Sequence, residues 1–149
     1  MNPVITQALD AILLERKDQS YSASFRAADE LIAVYGETEL AERLFSEIPR
    51  TVPFEIVAEL FDILTWQTSD NGSAIHRTVE RWLLEGLDNR KLLIALHLDS
   101  CPFIDTEDMR KVLSQLAEKN PRVAGRCRLL IQSRASTAEE ANRTDEPGS

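Results

Sequence analysis

The sequence predicts an all-α domain of antiparallel helical hairpins, and three observations predict it. Apolar residues recur at three- and four-residue spacing along nearly the whole chain. Alternating apolar and polar runs with a β-branched bias are absent. Glycines and prolines are few, five and six, and the prolines fall between periodic segments.

Each element then follows in order. Pro3 suits a first helical turn, and Ile5, Leu9, Ile12 and Leu13 form one apolar face, so a first helix is expected from Pro3 to about Lys17. The polar stretch Asp18-Gln19-Ser20 ends it. A second helix, from about Ser22 to Tyr35, carries Phe25, Ala28, Leu31, Ile32 and Tyr35, with Gly36 as its stop. A third, from about Thr38 to Ile48, has the stripe Leu40, Leu44 and Ile48 and is closed by Pro49. Thr51 and Pro53 open a fourth that reaches about Thr68, with Phe54, Val57, Leu60, Phe61 and Leu64 turned inward. Ser69-Asp70-Asn71-Gly72 reads as a turn.

A fifth helix, about Ser73 to Leu87, buries Ile75, Val79, Trp82 and Leu83. Asp88-Asn89 links it to Leu92–Leu98, which is apolar nearly all round and so belongs at the centre. Asp99–Asp105, with Pro102, reads as a loop. Thr106, Glu107 and Asp108 put a cap and two acids at the positive end of the next helix dipole. That helix carries Met109, Val112, Leu113 and Leu116. Asn120-Pro121 separates it from a last helix bearing Val123, Cys127, Leu130 and Ile131. Residues 1–134 are expected to form a single domain, and residues 135–149, small and polar, a disordered tail.

At an offset of 33, Leu60, Phe61, Ile63, Val79 and Leu83 fall on Leu93, Ile94, Leu96, Val112 and Leu116. Stacked helical hairpins repeat at about such lengths. Two architectures satisfy the pattern: a short HEAT-like α-solenoid and an irregular bundle of about eight helices.

Composition excludes some functions. The chain has 149 residues, 43% hydrophobic and 28% charged, enough for an ordinary core. No apolar run approaches the roughly 20 residues that span a bilayer, and the first residues carry no secretory signal, so a cytoplasmic protein is expected. A net charge of −8 argues against a nucleic-acid binder. The charge is uneven: residues 1–66 carry a net −7, residues 67–134 a net +2 and residues 135–149 a net −3.

Catalytic patterns are missing. There is no P-loop, G-x-G-x-x-G, G-x-S-x-G or H-E-x-x-H motif. His97, Asp99 and Cys101 lie close in sequence, yet nothing in their spacing holds a base against a thiol. No set of ligands suits a metal, Cys127 reads as a buried free thiol, and no cofactor is expected.

One charge pattern is informative. Glu55, Glu59 and Asp62 lie at i, i+4 and i+7 on one helix face, and no base occurs between Arg50 and Arg77 to relieve them. Like charges so spaced cost a helix a few tenths of a kcal/mol per pair. Glu39, Glu42 and Glu47 add acids on the preceding helix, partly offset by Arg43. Two explanations remain open. Some of these acids pair with bases inside the fold, or they form a face that steers a basic partner.

With the helices placed, a stretch from about Phe54 to Arg134 resembles a known family. Its marks are the helix Phe54-Glu55-Ile56-Val57-Ala58-Glu59-Leu60-Phe61-Asp62-Ile63-Leu64, then Trp82, and the run Leu92-Leu93-Ile94-Ala95-Leu96-His97-Leu98. Cys101-Pro102-Phe103 and Arg122-Val123-Ala124-Gly125-Arg126-Cys127-Arg128-Leu129-Leu130-Ile131 complete them. Together they are similar to the all-helical, HEAT-like immunity proteins of bacterial polymorphic and contact-dependent toxin systems. The resemblance implies no catalysis, and instead tight binding of a cognate toxin domain in the producing cell. It passes no binding residue to this chain.

The expected function is therefore toxin neutralisation, with a basic nuclease as a fitting target. Glu39, Glu42, Glu55, Glu59 and Asp62 are the expected acceptors for its Lys and Arg side chains. A helical adaptor that binds a peptide in a solenoid groove is the alternative, and an enzyme with a thiol at Cys101 is a third.

Overall fold

The computed structural model describes residues 1–18, 20–98 and 106–144, with side chains in the last helix through residue 132. Among them are eight helices and no strand: α1 (Pro3–Asp18), α2 (Ser22–Tyr35), α3 (Leu40–Glu47), α4 (Phe54–Gln67), α5 (Ser73–Glu85), α6 (Asn89–Leu96), α7 (Thr106–Lys119) and α8 (Pro121–Thr144). None is long and apolar enough to cross a membrane. The expected loop Asp99–Asp105 and the last five residues lie outside the described residues. The backbone of α8 is helical to Thr144, past Ala135, where the polar tail was expected to begin.

The helix ends have local causes. Glu39 sits at φ +52°, a left-handed conformation no right-handed helix contains, so α3 starts at Leu40 rather than Thr38. Gly86, at φ +62°, stops α5 two residues before Leu87. The Asp88 side chain accepts from the backbone N–H groups of Arg90 and Lys91, so the expected linker is in fact the cap of α6. The turn before α5 needs its glycine twice over. Gly72 lies at φ +81°, and a Cβ there would fall 2.5 Å from the Thr65 Cβ. Asp70 caps this turn, accepting from the backbone N–H groups of Gly72 and Ala74.

The cap of α2 comes from another helix. Glu15 of α1 accepts from the backbone N–H groups of Ala23 and Ser24 and from the Ser20 and Ser24 hydroxyls. These donors, the Ser24 hydroxyl foremost, hold the carboxyl below its ordinary value although burial opposes them. One carboxylate thus satisfies the orphan donors of α2 and ties α1 to it.

Successive helices pack as hairpins, with α1 on α2, α5 on α6 and α7 on α8. The hairpins stack in two layers. One layer runs α2, α4, α6, α8, the other runs α3, α5, α7, and α1 packs against α2 and α4. The core lies between, with Phe61, Trp82, Leu60, Leu64, Leu92 and Ile94 fully enclosed. Burying each such side chain contributes about 1.5–3 kcal/mol. Of α6, only Leu93 among the apolar side chains keeps notable exposure, which matches its central place between α4, α5 and α8.

Candidate functional site

The five acids singled out from the sequence fall into two groups. Glu39 and Glu42 stand at the start of α3, facing α5 and α6. The Arg81 guanidinium reaches Glu39 at 3.5 Å and Glu42 at 3.3 Å. Lys91 from α6 lies 3.4 Å from Glu42, and the Trp82 indole N–H donates to it at 2.5 Å. The Lys91 ammonium also lies over the Phe45 ring at 5.2 Å and the Trp82 ring at 5.3 Å, a cation–π arrangement. Burial alone would raise the Glu42 pKa. The indole N–H, Lys91 and Arg81 outweigh it and hold the carboxyl below its ordinary value. Glu42 is therefore a node joining three helices. Glu39 is more open, and an exposed pair of this kind contributes at most about 1 kcal/mol.

The second group is the row on α4. Glu59 pairs with Arg16 of α1 at 3.1 Å, so the base missing from the helix itself is supplied by its neighbour. Asp62 is half-buried, and its backbone carbonyl accepts the Thr65 hydroxyl at 2.6 Å. Glu55 is exposed and forms no ion pair among the described residues. The row does not stop at Asp62. One turn further stands Trp66, 77% exposed. The spacing 55, 59, 62, 66 places it on the same face, and that spacing was the available signal for it. On α1, Leu13, one turn before Arg16, and Leu14 are also exposed.

Comparison of the chain with protein families, curated proteins and solved structures finds no match. The surface must then be judged by its own chemistry.

Of the groups considered for catalysis, only His97 lies among the described residues. Cys127 is a free, fully buried thiol, and burial pushes its pKa up, away from the thiolate that nucleophilic chemistry needs. The His97 ring nitrogen Nδ1 lies 2.7 Å from the Leu93 carbonyl, and the ring packs edge-on to Phe54 at 4.8 Å. Asp99 and Cys101, its partners in the thiol reading, lie outside the described residues. Among the described residues no three His, Cys, Asp or Glu side chains gather to hold a metal.

Proposed function

We propose that this chain is a non-enzymatic binding protein, an immunity protein that neutralises a cognate bacterial toxin domain in the cytoplasm of the producing cell, docking through the outer face of α4. The observation that supports it is Trp66, 77% exposed at the end of the row Glu55, Glu59 and Asp62. A tryptophan held in water forfeits about 25 cal/mol for each Å² of apolar surface left unburied. Tryptophan is also among the residues that most often dominate interface energetics. Carboxylates beside such an anchor steer a basic partner and raise its association rate. A basic nuclease has the matching surface. Glu55 and Glu39 remain accessible for this role, Glu59 shares its charge with Arg16, and Glu42 contributes from within the fold.

Co-expression tests the reading. The toxin domain is taken from the reading frame directly upstream of the gene, where such systems place it. The chain should restore growth of cells that produce this domain. Trp66→Ala should weaken binding at least tenfold through faster dissociation. Glu55→Lys with Glu59→Lys should slow association at low salt and much less at high salt. Binding without protection would make the chain a helical adaptor instead, and absence of both would overturn the proposal.

A further inference from the structure

The N-terminal ends of α4, α6 and α8 lie side by side, because these helices stack in one layer. Each brings an arginine. Arg50 precedes α4, Arg90 is the second residue of α6 and Arg122 the second residue of α8. Together they line an open groove of about 460 Å³, and Phe54, Leu87 and Leu93 supply its apolar surface. Leu87 is 88% exposed. The volume lies within the range of about 300–1,000 Å³ typical of ligand sites.

Among the described residues no cation of this groove forms a salt bridge. The Arg90 guanidinium is directed at backbone carbonyls, those of Val52 at 2.8 Å, Pro49 at 3.3 Å and Arg50 at 3.5 Å. Arg50 and Arg122 are exposed, and neither side chain has an acid or a hydrogen-bond partner among the described residues. The single acid of the lining, Asp88, spends its carboxylate on the cap of α6. Burial, and then the neighbouring Arg50, push the Arg90 pKa down, against a smaller opposing effect of Asp88. Positive charge at the start of a helix also opposes the dipole. Arg90 and Arg122 stand in such first turns, and Arg50 lies four residues before α4, in a chain whose net charge is −8.

We propose that the Arg50, Arg90 and Arg122 groove binds a peptide segment of a partner protein that carries a carboxylate flanked by large apolar side chains. Guanidinium forks match a carboxylate in a bidentate way, and Phe54, Leu87 and Leu93 take the flanking side chains. The overall negative charge of the chain disfavours polyanions and dianionic phosphates more than a single carboxylate. The groove lies at the N-terminal end of α4 and Trp66 near its C-terminal end, so this inference does not rest on the toxin reading.

The probe is an amide-capped, fluorescein-labelled peptide pool, Gly-X-Glu-X-Gly with X drawn from Leu, Ile, Val and Phe, titrated by fluorescence anisotropy against the full chain. Saturable binding is expected, at least tenfold weaker for the Gly-X-Gln-X-Gly pool. The double variant Arg50→Ala, Arg122→Ala should lose at least tenfold while keeping the parent melting curve, since both side chains are exposed. Equal binding of the Gln pool, equal binding by the double variant, or no saturable binding would overturn the proposal. Inorganic phosphate competing as well as unlabelled peptide would reduce the groove to an anion site and overturn it too. So would a dimer in sedimentation that the double variant abolishes, because the occupant would then be a second copy.

Discussion

Two charged regions of this molecule reach opposite outcomes. At the start of α3, Glu42 meets Arg81, Lys91 and the Trp82 indole N–H, and the charge is consumed in joining three helices. Near the N-terminal ends of α4, α6 and α8, three arginines gather with one acid among the described lining residues, and that acid is engaged as a helix cap. The α3 region is acidic by sequence and satisfied in space. The arginine region is scattered along the sequence and forms no ion pair among the described residues, Arg90 donating to backbone carbonyls instead. Local charge counts therefore do not say which charges keep a counter-charge once the helices have packed.

The largest test of this contrast is Glu42→Ala. It leaves the Trp82 N–H, Lys91 and Arg81 without their shared acceptor, so urea denaturation should show a loss of about 2 kcal/mol. A change under about 0.5 kcal/mol would mean that the node is a surface pair like any other.

Acid should sharpen the same point. Glu15, Glu42 and Asp70 have pKa values held below their ordinary 4.5, 4.5 and 3.8. His76 is also lowered, by burial against a smaller opposing effect of Asp70, from its ordinary 6.5. A group depressed in the folded state takes up its proton first in the unfolded chain. Stability is then fully present above the unfolded values and lost as pH falls through the folded ones. The urea midpoint should decline first below about pH 6.5, through His76, and further below about 4.5, through the carboxylates. A midpoint that rises between pH 7 and pH 5 would contradict these directions.

The smallest effect belongs to the groove. Arg50→Ala with Arg122→Ala should shift unfolding stability by no more than about 0.5 kcal/mol, because both side chains are exposed and neither is paired among the described residues. A marked gain would show that their mutual repulsion strains the native state. A marked loss would show a structural role.

The helices were legible in the sequence because each buries a stripe at helical spacing. The bounds of α2 at Ser22 and Tyr35 coincide with the expected ones, and Gly36 marks the stop. The misplaced ends have specific causes. Gly86 is a stop signal for α5, and the apolar Leu87 just beyond it masks that signal by continuing the pattern. Glu39 carries no signal for its positive φ, since that conformation is uncommon outside glycine. The surface was less legible for a different reason. Glu42 meets Arg81 and Lys91 across 39 and 49 residues, and Glu59 meets Arg16 across two helices, so no spacing rule could pair them. Trp66 was missed, although its phase on α4, one turn beyond Asp62, carried the signal. The arginine groove was not legible, because it exists only through the stacking of α4, α6 and α8.

The Glu15 cap has a consequence for the order in which the chain can organise. Its partners are five, eight and nine residues away, so closing that loop costs little entropy, whereas the Glu42–Lys91 contact must close 49 residues. The α1–α2 hairpin can thus be fastened by one side chain while the rest of the chain is still searching. The node at Glu42 fastens only what has already assembled.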